Sequence, residues 1–310
     1  MSNRQPRILL SGANGQLGWE LKCILSPLYE VHAFERSKLD LTNSKQIRQR
    51  ISEIKPDIII NAAAYTAVDK AEEESELAFA VNAEAPAILA AEAARIDATL
   101  IHYSTDYVFD GSGTQPWREE DTPAPLNVYG ESKLAGEQAI KASGVAHLIL
   151  RTSWVYGAHG HNFVKTILRL AAEKDELNII DDQIGAPTSA AFLANTSAQI
   201  LNQLTENPKE IAENSGTYHL CCGGETSWHG FASEIVRLAE QSEILLALKT
   251  IHSIPTSAYP TPAERPKNSR LDCSRLNNLF GLQPITWQTA LAQALPHIIA
   301  SQTKATTKPT

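Results

Sequence analysis

The stretch Ser11-Gly12-Ala13-Asn14-Gly15-Gln16-Leu17-Gly18 follows the apolar run Arg7–Leu10 and opens a helical pattern, Gln16–Leu25. A strand that turns into a helix through three glycines has a physical purpose. Gly12 permits the tight turn, Gly15 lets the backbone approach a pyrophosphate, and Gly18 lets the helix pack close to the strand. The N-terminus of the helix then offers free N–H groups and partial positive charge to a diphosphate. Three glycines alone say little. Their place on the first strand of an alternating pattern points to a dinucleotide cofactor.

Outward from this turn, Val31–Phe34, Asp57–Asn61 and Leu100–Ser104 read as buried strands. Gln16–Leu25, Ser44–Ile54 and Glu76–Arg95 read as the helices between them. This rhythm predicts a parallel sheet with helices on both faces. Ile58-Ile59-Ile60 is uninterrupted rather than alternating, as a strand covered on both sides should be. A helix over Val128–Ala142 and a strand over His147–Arg151 continue the pattern. Beyond Arg151 prolines punctuate shorter helices at Phe163–Ala172, Ala190–Leu204 and Phe231–Gln241. The fold class read here is α/β, a Rossmann-type doubly wound parallel sheet with a smaller C-terminal substrate-binding lobe. Residues 1–150 form the dinucleotide-binding domain. Residues 151–302 form mainly the lobe, with some segments returning to the sheet, and 303–310 are a small, polar, frayed tail.

The 310 residues are 43% hydrophobic and 20% charged, an ordinary globular composition. A net charge of -8 argues against a nucleic-acid binder, which needs a basic face, but leaves room for one small anion. No apolar run approaches the ~20 residues that span a bilayer, and Met1–Arg7 leaves no room for a signal-peptide core, so the expected location is cytoplasmic. The four cysteines have no metal spacing, and adjacent Cys221-Cys222 read as two reduced thiols on a strand.

Glu35-Arg36 follows the second strand. An acidic side chain here can hold ribose hydroxyls and favours NADH, whereas an arginine can pair a 2′-phosphate and favours NADPH, so either cofactor is expected. Asp40 and Leu41 are placed to touch an adenine ring. The small residues Ala62-Ala63-Ala64 let a flat ligand lie against the backbone. Further on, Ser104-Thr105 ends a strand, and Tyr129 and Lys133 stand four residues apart on one helical face. An ammonium beside a phenol stabilises the phenolate and lowers its pKa from ~10. Tyr129 can then protonate a carbonyl oxygen as hydride reaches its carbon. Lys133 can bond the nicotinamide ribose, and Thr105 can align the substrate oxygen.

Seven stretches carry a resemblance that runs nearly end to end: GANGQLGWEL (Gly12–Leu21), NAAAYTAVDK (Asn61–Lys70), HYSTDYVFD (His102–Asp110), PLNVYGESKLAGE (Pro125–Glu137), RTSWVY (Arg151–Tyr156), DQIGAPT (Asp182–Thr188) and RPKNSRLD (Arg265–Asp272). The chain resembles the extended short-chain dehydrogenase/reductase family, and within it the branch that reduces a dTDP-4-keto-sugar with NADPH or NADH. The resemblance implies Tyr129 as proton donor, Lys133 as its helper and Thr105 as the hydroxyl at the carbonyl. It puts Gly15, Gln16 and Leu17 on the cofactor diphosphate, and Glu35, Asp40 and Leu41 on the adenosine. Ala63, Ala64, Tyr65, Thr66 and Tyr103 would line the cofactor, and Thr105, Asp106 and Trp154 the sugar nucleotide. The dehydratases of this family follow Thr-Asp with Glu, but here Tyr107 follows Asp106, which favours simple reduction. An epimerase and a non-catalytic NADP-binding regulatory subunit are the alternatives on this scaffold. Some relatives hold magnesium between subunits with several glutamates. Glu20 is kept here, but Ser189-Ala190-Ala191 carries no carboxylate. No structural metal is expected on that basis, and a homodimer is left open.

Overall fold

The computed structural model describes residues 4–206 and 213–306. The first half alternates β1 (Arg7–Ser11), α1 (Gln16–Leu25), β2 (Glu30–Phe34), α2 (Ser44–Ile54), β3 (Ile58–Asn61), the short α3 (Val68–Ala71), α4 (Ser75–Phe79), α5 (Ala85–Arg95), β4 (Thr99–Thr105), α6 (Val128–Ala142) and β5 (His147–Thr152). The second half contributes β6 (Val155–Tyr156), α7 (Phe163–Glu173), β7 (Glu176–Ile180), β8 (Ile184–Gly185), β9 (Thr188–Ser189), α8 (Ala190–Glu206), β10 (Gly216–His219), β11 (Thr226–Ser227), α9 (Trp228–Gln241), β12 (Thr250–Ile254), β13 (Asn268–Ser269), α10 (Ser274–Phe280) and α11 (Trp287–Thr306).

Six parallel strands form the central sheet in the order β10-β5-β4-β3-β1-β2. The chain steps outward from β1 to β2 and then crosses back to β3 on the other side of β1. Between β1 and β3 the winding direction reverses, and a crevice opens beyond the strand ends there. Alternate residues along each strand serve opposite faces. Ile8, Leu10, Ile58, Ile60, Leu148 and Leu150 pack with α1 and α8 residues such as Leu21 and Leu201. Leu9, Ile59, Leu100 and Ile149 pack with Ile47 and Ile51 of α2 and Leu89 of α5. The uninterrupted isoleucines of β3 are thus buried on both faces, as parallel strands are.

The smaller lobe has its own apolar core, built from α7, α9 and α11 with Tyr156, Phe231 and Trp287 at its centre. Two segments of the second half join the sheet layers: β10 pairs with β5, and α8 packs on α1. The last helix runs to Thr306, so the backbone at 303–306 is helical where a frayed tail was expected; 307–310 lie outside the described residues. All four cysteines are free, and Cys221-Cys222 lie just beyond β10 rather than on it.

The helix expected over Glu76–Arg95 is broken in register by a π turn at Ala80–Glu84. Pro86 explains it. A proline has no N–H to give the carbonyl four residues back, and its ring clashes with that carbonyl, here that of Asn82. The extra residue turns Asn82 inward. Its amide then clamps the backbone of Tyr65, accepting from Tyr65 N–H at 2.8 Å and donating to Tyr65 O at 3.0 Å. Read from Ser75 to Arg95, this helix is long and apolar enough by composition to cross a membrane, which departs from the expectation of no such run. Leu89, Ala90 and Ala93 are nonetheless buried in the layer that covers the sheet.

Candidate active site

A cleft of about 580 Å³ opens at the carboxyl ends of β1, β3 and β4. Gly12, Gly15, Gln16 and Leu17 form its floor, and Ala63, Ala64, Tyr65 and Thr66 one wall. Gly12 has φ +78, and a Cβ there would stand 2.8 Å from the backbone nitrogen of Ala63, so only glycine allows β1 and β3 to lie this close at the crevice. Gly18 does not touch the cleft. A Cβ on it would lie 2.0 Å from Gly12 O, so its work is to let α1 seat against the turn. Gly15 caps α1 with no side-chain bond to the helix, which leaves the first N–H groups free to meet an anion. These features fit a dinucleotide diphosphate.

Asp40 and Leu41, expected at the adenosine, line the cleft, and Asp40 also accepts from Thr42 N–H at 3.0 Å. Glu35 departs from the expectation. Its carboxylate turns to the amide of Asn14 and to Ser37 Oγ at 2.9 Å, bonds that hold it below the usual carboxylate range, and it does not line the cleft, whereas Arg36 does. Gln16 reaches across to the second lobe, where its Oε1 accepts from Asn162 at 3.0 Å. Asn162 in turn caps α7. Gly160 and His161, from the loop before α7, complete the cleft. No motif singled them out; the only signal is a glycine-bearing loop directly after the RTSWVY stretch.

Tyr129 and Lys133 both line this cleft, one turn apart on α6. Asn127 starts that helix by accepting from Gly130 N–H at 2.8 Å, while its own amide donates to Glu264 O at 2.7 Å in the second lobe. Gly130 allows the close approach: a Cβ there would meet Tyr107 O at 2.2 Å. Tyr107 packs edge-on against Tyr129, with ring centroids 5.4 Å apart. The hydroxyl of Thr105 hydrogen-bonds Tyr129 and donates to Asp106 Oδ1 at 3.1 Å.

The electrostatics correct the sequence reading. Burial pushes the Tyr129 phenol up to about 12, against a small lowering by Thr105, and Lys133 is not among the groups that shift it. Burial also pulls Lys133 down to about 8, partly opposed by Glu137. The phenol is therefore a neutral acid at neutral pH, which suits proton donation. The Lys133 ε-amino group is held below, by Tyr103 O at 2.7 Å and His102 Nε2 at 3.1 Å. Tyr103 lines the cleft from β4, its hydroxyl paired with Ser197 at 2.5 Å.

Neither Thr105 nor Asp106 lines the cleft, which ends on this strand at Ser104; the two are 5% and 2% exposed, and burial raises the Asp106 carboxyl to about 6. Trp154, at φ +48, stacks face to face on Trp228 with centroids 3.7 Å apart. A second cleft of about 740 Å³ begins at Tyr107 and is lined by Trp228, Tyr259, Lys174, Asp69 and Arg265. Trp154 does not line this cleft and reaches it only through the ring of Trp228. Among the described residues no group of three or more His, Cys, Asp or Glu is arranged to hold a metal ion.

The family described as the RmlD substrate binding domain matches residues 6–299. A dTDP-4-dehydrorhamnose reductase of Shigella flexneri is 46% identical over 298 residues, which is 95% of this chain and 98% of that one. Among solved structures, a dTDP-4-dehydrorhamnose reductase of Clostridium acetobutylicum superposes with a TM-score of 0.86 at 38% identity, covering 94% of this chain and 98% of that one. Another, from Bacillus anthracis in complex with NADP, gives 0.85 at 38%, covering 94% and 99%. A glycine turn, a tyrosine and a lysine on one crevice, and relatives aligned end to end, make this chain a member of the RmlD family of dTDP-4-dehydrorhamnose reductases.

Proposed function

We propose that the chain reduces the 4-keto group of dTDP-4-dehydro-6-deoxy-L-mannose to give dTDP-L-rhamnose, using NADPH or NADH. The observation that carries this reading is the convergence of Tyr129, Lys133 and the glycine turn on one cleft. When bound there, the reduced nicotinamide supplies the hydride. The protein supplies the rest. The free N–H groups of α1 and the small wall Ala63-Ala64 hold the coenzyme flat along the crevice. Thr105, fixed by Asp106, aligns the sugar carbonyl beside Tyr129. The neutral Tyr129 phenol gives its proton to the carbonyl oxygen as charge builds there. Lys133 then restores the phenol's proton and, when protonated, holds the coenzyme ribose.

The nucleotide half of the substrate fits the second cleft. Aromatic Trp228 and Tyr259 offer faces for a pyrimidine, and Arg265 and Lys174 offer charge for a diphosphate. We place the reaction in the cytoplasm, where buried thiols such as Cys221 and Cys222 stay reduced. The test is turnover of the keto-sugar nucleotide with each coenzyme, comparing wild type with Tyr129→Phe. The variant should lose about 10²-fold or more in kcat while coenzyme affinity is kept. A Tyr129→Phe enzyme of near-normal rate removes the tyrosine from the acid's role.

A further inference from the structure

Lys133 hangs from a buried polar chain that begins on the first strand. Ser11 Oγ donates to Asn61 Oδ1 at 2.6 Å. Asn61 Nδ2 faces His102 Nδ1 at 3.0 Å. His102 Nε2 faces Lys133 Nζ at 3.1 Å. The four side chains are at most 1% exposed and run across β1, β3, β4 and α6, directly beneath the cleft. A fully buried polar row of this kind is costly unless every member is paired, so its arrangement is specific.

Counting protons along the row shows what it does. The Asn61 oxygen is fixed by two donors, the Ser11 hydroxyl and the Ala63 backbone N–H at 3.3 Å. Its amide nitrogen therefore points at His102 and donates. His102 is neutral, since burial and the nearby lysine charge hold its pKa well below 6.5. A neutral imidazole has one N–H and one lone pair. Nδ1 accepts from Asn61, so the proton sits on Nε2 and points at Lys133. That N–H meets a lone pair only when Lys133 is the free amine. Against the ammonium, donor would face donor, and the imidazole would have to change tautomer and turn the Asn61 amide away from Ser11 and Ala63.

We propose that His102 is a positioning residue for reduction: it fixes the Lys133 ε-amino group against the Tyr103 carbonyl and, through Asn61 and Ser11, ties the lysine to the strand that carries the glycine turn. The inference rests on Lys133 being part of the reductase site. Protonation of the lysine is felt by His102 and Asn61, and the row favours the form that has just given up a proton. The charged group that acts on Lys133 is Glu137, one turn further along α6, which opposes that bias.

The experiment is a double-variant cycle on the intact enzyme with His102→Leu, Lys133→Met and the pair, reading kcat, both KM values and the melting temperature. His102→Leu should lower kcat roughly 10- to 100-fold, with the coenzyme and sugar-nucleotide KM values within about threefold of wild type. In the Lys133→Met background the same change should cost less than about twofold in kcat, because the residue acts through the lysine. His102→Gln, which restores one donor and one acceptor, should recover most of the loss, and His102→Phe, which keeps a ring but no nitrogen, replaces leucine in the cycle should His102→Leu not fold. A folded His102→Leu enzyme with wild-type kcat, or losses that multiply in the pair, overturns the inference. A Lys133→Met enzyme of normal kcat overturns instead the reading of the site on which it rests.

Discussion

Tyr129 and Lys133, one turn apart on α6, and Asp106 just past the end of β4 set three different titrations. Tyr129, pushed up to about 12, keeps its proton throughout the working range. Asp106, raised to about 6, loses the carboxylate that fixes Thr105 as pH falls through that value. Lys133, lowered to about 8, loses its ammonium as pH rises through that value. Reduction should therefore follow a bell-shaped kcat/KM profile, with an acid limb near 6 and an alkaline limb near 8. Asp106→Asn should flatten the first limb and Lys133→Met the second, and a rate profile over pH 5 to 10, taken to about those limits, checks both. The same shift has a stability cost. Asp106 has a folded pKa above its ordinary 3.8, so the stability it lends is complete below that value and is lost as pH rises through about 6. Asp106→Asn should then melt about 3 °C or more above wild type at pH 8, with the gap closing as pH falls toward about 4. Calorimetry across that range decides it; a gap that does not vary with pH removes the buried carboxylate as its source.

The elements of the first half were readable because each has a local cause. Ser44–Ile54 and Val128–Ala142 were bounded correctly, each starting after an asparagine whose side chain caps it. The helix read from Phe231 begins three residues earlier, since Ser227 caps it by accepting from Gly230 N–H, and Trp228-His229-Gly230 resemble a loop in sequence. Strands β7 and β12 were not read, and β10 only as an unbounded return to the sheet and a strand misplaced onto Cys221-Cys222. Their pairing partners lie far along the chain, and they carry no uninterrupted apolar run like that of β3. The cleft shows the same split: many motif residues line it, though not Glu35, Thr105 or Asp106, whereas Gly160, His161 and the row beneath Lys133 required the fold. The π turn is a middle case, since Pro86 announces a break but not its direction. Its consequence is testable through α6. A Cβ at Gly136 would lie 2.1 Å from Asn82 O, backbone that Pro86 has left without its usual partner. Gly136→Ala should push α6 off the π turn, shifting Tyr129 and Lys133 together. An expected kcat loss of about tenfold or more follows from misplacement near 1 Å, accompanied by a lower melting temperature. Normal kcat in a folded variant would show that α6 is positioned from elsewhere.

The two lobes meet around the two clefts, and specific polar contacts join them there. Arg265 bonds both carboxylate oxygens of Asp69, each at 2.8 Å, and also donates to Ala263 O at 2.7 Å. The pair joins a loop of the smaller lobe to α3 of the sheet domain, and both partners line the second cleft. The guanidinium beside it holds Asp69 below the usual carboxylate range, so the link persists well into mild acid. Asp69 is 41% exposed in its side chain, which limits what the bridge adds to global stability. Its larger effect is on geometry: it aims Arg265 toward the place where the substrate diphosphate is proposed to lie. Asp69→Asn keeps the shape of the side chain but gives up its charge and one acceptor, and it leaves the coenzyme cleft untouched. The expected result is a sugar-nucleotide KM raised about tenfold, by loss of one charge-assisted bidentate pair, with coenzyme affinity unchanged and a melting temperature within a few degrees of wild type. Steady-state kinetics with each substrate varied in turn, alongside a coenzyme fluorescence titration, separates these outcomes. An equal loss of affinity for both ligands would mean that the bridge sets the closure of the whole molecule rather than the aim of one arginine.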